Sequence, residues 1–204
     1  MASYDMKRFL VLLSLVVLTN IPFSCVDDCG PSNPMESKIT ELYVLVGSLT
    51  SSGFITTKST DFELAAIQIR IADLDYTEVM AFIARPRFSF INAAIACSPR
   101  LPEPTQAIES MVITSESTVY AQGNEFLPGE QLNELFKING NLTIAEYITK
   151  QKSNIELFGN IGSSINLQLL EQPDSTINQT FTFDIKFSDL SEMVVISEVF
   201  EVNN

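Results

Sequence analysis

Alternation of apolar and polar residues, which is typical of half-buried β-strands, recurs along most of the chain. The clearest case is Thr180–Phe187, where large apolar residues at every second position predict one buried face. The same alternation, or a run rich in β-branched and aromatic residues, predicts further strands at Ile39–Leu49, Leu64–Ile71, Phe88–Cys97, Ile108–Thr114, Ile165–Leu170 and Met193–Val202.

Three of these strands allow finer predictions. Gln68 and Arg70 alternate with isoleucines and are expected to face solvent. Phe88–Cys97 is apolar on both faces and is expected to lie centrally in a sheet. Met193–Val202 follows a turn and is expected to return as the hairpin partner of Thr180–Phe187.

Two short helices are predicted between the strands. Pro128–Phe136 carries apolar residues at i, i+3 and i+4 starting from Leu132, a narrow helical stripe. Thr143 and Glu146 have the spacing of a capping box, in which each side chain bonds the backbone N–H of the other residue. Each helix should be about two turns long and dock on a sheet, because such short helices are unstable alone.

Many short strands without β–α–β alternation indicate a mainly β protein. We therefore expect an antiparallel, immunoglobulin-like β-sandwich with two short helices, formed by residues 38–204 as a single domain. A β-barrel built from the same strands is the alternative.

The N-terminal segment has the organisation of an export signal. Lys7 and Arg8 precede the apolar run Phe9–Leu18, which is too short to span a bilayer. Ser24 then stands before Cys25, the small-residue–cysteine pair at which bacterial lipoprotein signals end. We expect residues 1–24 to be the signal peptide and Cys25 to be lipidated. The alternative is an ordinary signal peptide with Cys25 in a disulfide.

The residues after Cys25 indicate where in the cell the protein is located. Residues 25–37 are rich in Pro, Ser, Asn and acids and are expected to form the acylated N-terminus and a tether. Asp27 and Asp28 resemble an acidic signal that sends some Gram-negative lipoproteins to the cell surface; the alternative is two solvated acids. The prediction is an outer-membrane lipoprotein on the periplasmic or the cell-surface side, held by its N-terminal lipid.

Three cysteines are present, and lipidation of Cys25 leaves Cys29 and Cys97 as an even pair. In an oxidising compartment such a pair favours a disulfide, which is the prediction. The alternative is a buried free Cys97, with Cys29 acylated or unused.

Charge and composition exclude several functions. Residues 25–204 hold 10 Lys and Arg against 24 Asp and Glu, a formal net charge of −14, which disfavours nucleic acid and anionic lipid as partners. The chain has no histidine, which removes Ser-His-Asp triads, Cys-His dyads and His-ligated metals. No phosphate-binding glycine loop or nucleophile motif is present, so no cofactor is expected.

Several short motifs carry a resemblance to a known family. They are Cys25-Val-Asp-Asp-Cys29, Ala96-Cys97-Ser98-Pro99, Thr143-Ile-Ala-Glu-Tyr147 and the C-terminal Phe-x-Phe hairpin. Together they resemble an uncharacterised family of lipoproteins from Gram-negative gut and environmental bacteria. The resemblance implies a cell-envelope lipoprotein domain of unknown function, and it implies no catalytic residues.

Two weak candidate sites remain. Asp73 and Asp75, with Glu78 nearby, place carboxylates in a predicted loop after a strand, as Ca²⁺ prefers, but the other features of a calcium loop are missing. A solvated acidic turn is the simpler interpretation, so no metal site is predicted. Ser175 lies in an Asp-Ser-Thr sequence that resembles an O-glycosylation motif of some Gram-negative bacteria.

These features favour a non-enzymatic, lipid-anchored binding or interaction module at the cell envelope, whose ligand is an unidentified protein or glycan. One alternative is a hydrolase that acts on glycans with paired carboxylates. The other is a structural accessory subunit of an envelope complex, which an exposed apolar patch would favour.

Overall fold

The computed structural model describes residues 35–78 and 102–204, and its mainly β fold with antiparallel sheets confirms the predicted fold class. The strands are β1 (Met35–Thr50), β2 (Gly53–Thr56), β3 (Ser59–Asp61), β4 (Ala65–Glu78), β5 (Glu103–Pro104), β6 (Ile108–Ser115), β7 (Val119–Ala121), β8 (Asn124–Phe126), β9 (Phe136–Ile138), β10 (Ser164–Leu169), β11 (Ile177–Gln179), β12 (Phe181–Phe187), β13 (Glu192–Ile196) and β14 (Phe200–Asn203). The helical elements are α1 (Ile144–Ser153) and short 3₁₀ turns at Phe62–Leu64, Asn133–Leu135 and Ile155–Phe158.

Several predictions concern residues outside the described ranges. They are the signal peptide at 1–24, lipidation of Cys25, the Cys29–Cys97 disulfide and the strand Phe88–Cys97. Most of the predicted tether at 25–37 lies outside as well, although β1 already begins at Met35.

The described strands form three larger sheets and one hairpin. The largest sheet has the order β2-β1-β4-β10-β9, with β5 added in parallel to the start of β1. A second sheet has the order β11-β14-β3, a third has the order β13-β12-β6, and β7 pairs with β8. The strands predicted from Ile39, Leu64, Ile108 and Ile165 are confirmed as β1, β4, β6 and β10. The immunoglobulin-like arrangement stays a prediction.

Strand β12 supplies the centre of the core, as its alternation predicts. Phe181, Phe183, Ile185 and Phe187 are each 2% exposed or less, and they join residues of the other sheets and α1 in one hydrophobic cluster. Burial of a phenylalanine side chain stabilises the fold by roughly 2–3 kcal/mol. The rings of Phe136 and Phe181 pack edge to face, with an interplanar angle of 88° and centroids 5.7 Å apart.

Helix α1 begins at the predicted capping box. The Thr143 hydroxyl accepts the N–H of Glu146 at 3.2 Å, and the Glu146 carboxylate accepts the N–H of Thr143 at 2.9 Å. The bond from the Thr143 N–H lowers the pKa of Glu146, and so does a second bond, in which the Thr143 hydroxyl donates to the same carboxylate at 2.9 Å. The helix runs for 10 residues, somewhat longer than predicted, and buries Ile144 and Tyr147.

The helix predicted at Pro128–Phe136 is wrong. The segment is irregular, contains a 3₁₀ turn, and ends at Phe136, the first residue of β9. Part of its backbone bonds β6, since the N–H of Gly129 donates to Ser115 O at 3.0 Å and the N–H of Leu132 to Ile113 O at 2.8 Å. Leu132 and the other apolar residues of the predicted stripe are nevertheless buried, since an irregular segment can also present them to the core.

The prediction that Gln68 faces solvent is also wrong. Gln68 is 4% exposed, and its amide donates to Asn166 Oδ1 at 2.7 Å on the neighbouring strand β10. This bond satisfies the buried amide, which is why a polar residue is tolerated there. Arg70 is half-buried rather than fully exposed.

The predicted strand Met193–Val202 is in fact two strands. Only β13 pairs with β12, while β14 pairs with β11 and β3 in another sheet. The ladder ends at buried Ser197, whose hydroxyl accepts the N–H of Phe181 at 2.9 Å. The chain leaves the hairpin after this residue and joins the second sheet.

Two buried glutamines hold the irregular segment that precedes β6. Gln106 accepts the N–H of Ile39 at 2.5 Å and donates to Asp189 at 3.1 Å, so it joins β1 to the β12–β13 turn. Gln151, which is fully buried on α1, accepts the N–H of Ile108 at 2.7 Å. Buried backbone groups without a sheet partner need such bonds, because leaving them unpaired is costly.

Among residues 35–78 and 102–204, no helix has the length and apolar character that a membrane crossing requires.

Candidate functional site

The register of the β12–β13 hairpin determines which backbone groups of β13 are bonded. The N–H of Ser197 donates to Phe181 O, and the N–H of Phe187 donates to Ser191 O, each at 2.9 Å. Both pairs belong to the same antiparallel register. In such a ladder the hydrogen-bonded pairs alternate with pairs whose N–H and C=O groups point away. The odd-numbered residues of β13 therefore bond β12.

The even-numbered residues of β13 point their backbone groups in the opposite direction. These are Glu192, Val194 and Ile196, which face Lys186, Asp184 and Thr182 of β12 in the register. Because β13 is the last strand of its sheet among residues 35–78 and 102–204, their N–H and C=O groups lie along the edge of that sheet. No hydrogen bond from another part of the described chain reaches this edge.

The opposite edge of the same sheet, along β6, is closed by other residues. The side chain of Asn133 accepts the N–H of Ile113 at 2.9 Å and donates to Met111 O at 2.7 Å. The N–H of Leu132 donates to Ile113 O at 2.8 Å. The segment before β9 thus occupies the bonding groups of β6, whereas no residue of the described ranges occupies those of β13.

Exposed apolar side chains concentrate around β13. Four of the large apolar residues that are more than a third exposed fall within ten consecutive positions. We call these four residues the edge surface: Leu190, 93% exposed; Val194, 60%; Ile196, 56%; and Val199, 51%. Apolar groups this exposed at a strand edge are a recognised basis for association with another chain.

Leu190, at the tip of the hairpin, adopts a left-handed backbone conformation with φ of +68°. A residue with a side chain costs roughly 1–2 kcal/mol in this region, where glycine or asparagine is usual. The turn is held by the neighbouring Asp189, which pairs with Lys38 at 2.6 Å and accepts the N–H of Ser191 at 3.0 Å. The chain therefore keeps an exposed leucine where a glycine would relieve backbone strain.

Carboxylates lie beside the apolar side chains on the outer face of this sheet. Asp184 sits between Val112 and Val194 across the strands, and its Oδ1 atom is buried without a hydrogen-bond partner. Desolvation and the nearby Glu192 carboxylate raise the pKa of Asp184, although Lys186 opposes the shift. Lys186 itself pairs with Glu192 at 3.2 Å. A positive group placed near Asp184 would therefore be stabilised.

The other edges in the described chain are less suited to pairing. β2, β3, β9 and β11 are three or four residues long, and β3 and β9 carry the charged residues Asp61 and Lys137. Short edge strands and charges are common protection against unwanted pairing. β13 has five residues, and its one charged residue, Glu192, lies at the start of the strand and pairs with Lys186. From Met193 to Ile196 it has no charge, proline or glycine.

Two cavities lined by described residues contain no carboxylate pair. An internal apolar cavity of about 10 Å³, next to Phe136 and Phe181, is at the lower limit of the space that one water requires. An open depression of about 410 Å³ runs along α1 and contains one carboxylate, that of Glu146. Asp184 and Glu192 line neither of them.

The prediction that the candidate metal ligands lie in a loop is wrong. Asp73 and Asp75 are exposed within β4, which continues to Glu78. Asp75 Oδ1 accepts the N–H of Tyr76 at 2.9 Å. Within the described ranges, no three Asp, Glu, Cys or His side chains form a group that could hold a metal ion.

Ser175 lies in an exposed turn, which leaves its hydroxyl accessible. The preceding Asp174 fixes the turn against the β7–β8 hairpin by accepting the N–H of Gly123 at 2.8 Å and donating its own N–H to Tyr120 O at 3.0 Å. Glycosylation of Ser175 stays a prediction.

Sequence reasoning did not single out the edge surface, although a signal was present. Met193–Ile196 is apolar at every position, so both faces of a strand there must be apolar. Such a strand is either central in a sheet or exposed on one face, and the pattern alone does not distinguish the two.

Comparisons with known proteins identify no family for this chain. No protein-family model matches the chain, and no curated protein matches it. The solved C-terminal domain of the AgI/II polypeptide BspA from Streptococcus agalactiae is 8% identical, with a TM-score of 0.24, over 80% of this chain and 50% of that one. A second structure, titled BspA_C_WT, gives the same values. The chain spans half of the length of these two structures.

Proposed function

We propose that this protein is a non-enzymatic interaction module that binds another protein through the edge surface. The observation that carries the proposal is the edge of β13, which is apolar and unpaired within the described chain while the β6 edge of the same sheet is closed. Natural sheets usually protect such an edge, so an unprotected one favours a binding role.

The proposal places the protein at the outer membrane, held by a lipid on Cys25, on the periplasmic or the cell-surface side. The support is the sequence: a short apolar run after Lys7 and Arg8, and a cysteine directly after Ser24. The mature net charge of −14 favours a basic or neutral partner over nucleic acid or anionic lipid.

The edge surface also favours the second candidate, a structural accessory subunit of an envelope complex. Such a subunit would use the same four residues, but the partner would stay bound permanently. The two functions differ in lifetime: a module that binds reversibly is isolated mostly free, whereas a subunit is isolated with its partner.

Site-specific crosslinking in intact cells tests the proposal. With p-benzoylphenylalanine at position 194 of the full-length protein, we expect a discrete crosslinked protein that Ile196→Lys removes, since the lysine places a charge in the contact. Position 178, exposed on the edge strand β11, is the matched control and should not give this product. No product from position 194, or the same product from both positions, would refute the proposal.

A further inference from the structure

We infer that the partner adds a β-strand to the free edge of β13, using an extended segment with aliphatic residues at alternate positions and a basic residue near an end. This inference rests on the proposed function and specifies how the edge surface is recognised. Its basis is the pattern of backbone groups, side chains and charges around β13.

The backbone of β13 presents the pattern that strand addition needs. The outward N–H and C=O groups belong to residues two positions apart, Glu192, Val194 and Ile196, so they repeat at roughly 6.8 Å along the edge. An extended peptide offers its own groups at the same repeat, and main-chain hydrogen bonds provide much of the affinity in this mode. A globular surface without an exposed strand cannot match this repeat.

The two edges of the sheet differ in whether other residues of the described chain occupy their outward backbone groups. At β6, one asparagine side chain occupies a donor and an acceptor of the strand. At β13, no side chain of the described residues does the same, and residues 193–196 contain no charge that would repel a neighbouring strand. The described part of the chain therefore closes one edge and leaves the other available.

The side chains beside the edge define the apolar part of the partner. Val194 and Ile196 point to the outer face of the sheet and are more than half exposed. On an added strand, the residues directly across from them would lie about 4.5–5.5 Å away between Cβ atoms, where β-branched and aromatic side chains pair favourably. Every second residue of the partner segment should therefore be Val, Ile or a similar residue.

The charges beside the edge define the basic part. Asp184 and Glu192 lie on the outer face, and Glu198, 66% exposed in its side chain, follows β13. Lys186 and Lys58 pair with two of these acids, which leaves Asp184, whose Oδ1 atom has no hydrogen-bond partner, as the position for a partner cation. Opposite charges across such a contact also accelerate association.

The same charges argue against a second copy of this chain as the occupant. Two mature chains would each bring a net charge of −14 to the contact, and like charges oppose association. Neither chain has a free cationic group on this hairpin among the described residues, because its lysine, Lys186, is paired with Glu192. Lys38 of β1, which contacts the hairpin turn, is paired with Asp189.

A synthetic peptide tests the mode directly. We expect the capped peptide Lys-Val-Thr-Val-Thr-Val-Lys to bind the full mature protein and to slow hydrogen exchange of the Val194 and Ile196 amides. N-methylation of alternate residues on the edge facing β13 should weaken binding by roughly tenfold or more, because it removes backbone donors. Replacing both lysines with glutamates should weaken it by a similar factor. Equal binding of all three peptides would overturn the inference.

Val194→Pro provides a test within the protein. The N–H of Val194 faces away from β12, and proline is tolerated at such edge positions, so the variant should keep its fold yet lose the peptide. Val194→Lys is the second variant, since it keeps the backbone donor; it should bind more weakly than the wild type but still slow exchange of the Ile196 amide. Full binding by Val194→Pro would overturn strand addition.

The outcomes separate this inference from the proposed function. A specific crosslink from position 194 together with full peptide binding by Val194→Pro would keep the interaction module and remove strand addition. A dimer in sedimentation experiments that Val194→Pro abolishes would show a second copy on the edge and overturn the inference. A monomer over a wide concentration range supports a different protein as the partner.

Discussion

Replacing Asn133 with alanine is expected to lower the free energy of unfolding by about 2–4 kcal/mol, because two backbone groups of β6 lose their partner. Asn133 accepts the N–H of Ile113 and donates to Met111 O, and both bonds are partly buried. An unsatisfied buried donor or acceptor costs roughly 1–3 kcal/mol. The measurement is urea denaturation, with hydrogen exchange of the Ile113 amide as a local readout that should become faster.

Glu134→Ala is the matched control, since Glu134 lies in the same 3₁₀ turn but is exposed. Its effect should stay within about 0.5 kcal/mol, as is usual for surface substitutions. If Asn133→Ala were equally neutral, the asparagine would not be closing the β6 edge, and the contrast with β13 would lose its meaning.

Replacing Asp189 with asparagine is expected to cost about 1–2 kcal/mol at pH 7. Burial raises the pKa of Asp189, but hydrogen bonds from Lys38, Ser191 and Gln106 outweigh it, so the pKa lies well below its usual range. Hydrogen bonds to charged groups contribute roughly 1.5–3 kcal/mol, and solvent screening reduces this because the Lys38 side chain is 50% exposed. Thermal or urea unfolding of the two proteins measures the difference.

The pH dependence of this difference has a defined direction. A carboxyl whose pKa is lower in the folded state contributes stability above its unfolded pKa, near 3.9, and loses it as the pH falls towards the folded value. The gap between wild type and Asp189→Asn should therefore be constant near neutral pH and shrink below about pH 4. A gap that stayed unchanged in acid would contradict the assigned ionic network. Glu198→Gln, in an exposed pair with Lys58, should show almost no gap.

Periodicity and capping motifs predicted the elements whose structure depends on nearby residues. The alternation in Thr180–Phe187 identified the buried face of β12, because side chains on a strand alternate whatever sheet it joins. The Thr143–Glu146 capping box identified the start of α1, because both partners lie within one turn.

Features that depend on distant residues were not predictable in this way. The segment after Pro128 has helical spacing, but bonds from Gly129 and Leu132 to β6 determine its conformation. Gln68 is buried because Asn166, almost one hundred residues away, accepts its amide. The predicted strand Met193–Val202 likewise breaks at Ser197 because β14 joins a different sheet from β13.

In the candidate site, too, some features depend on nearby residues and others on distant ones. The apolar character of Met193–Ile196 is visible in the sequence, whereas its exposure depends on which strands lie beside it. The carboxylates that drew attention in the sequence, Asp73 and Asp75, turn out to be exposed strand residues. The alternation predicts that Asp184 faces outward. Only the strand register shows that it lies beside the exposed Val194.

The most direct test of the open edge is residue-resolved hydrogen exchange on the free mature protein. The amides of Met193 and Val195 bond β12 and should be protected, whereas those of Val194 and Ile196 face outward and should exchange almost as fast as in an unstructured peptide. Strong, equal protection of Val194, Val195 and Ile196 would show that another part of the chain already pairs this edge. It would contradict the assignment of β13 as a docking strand.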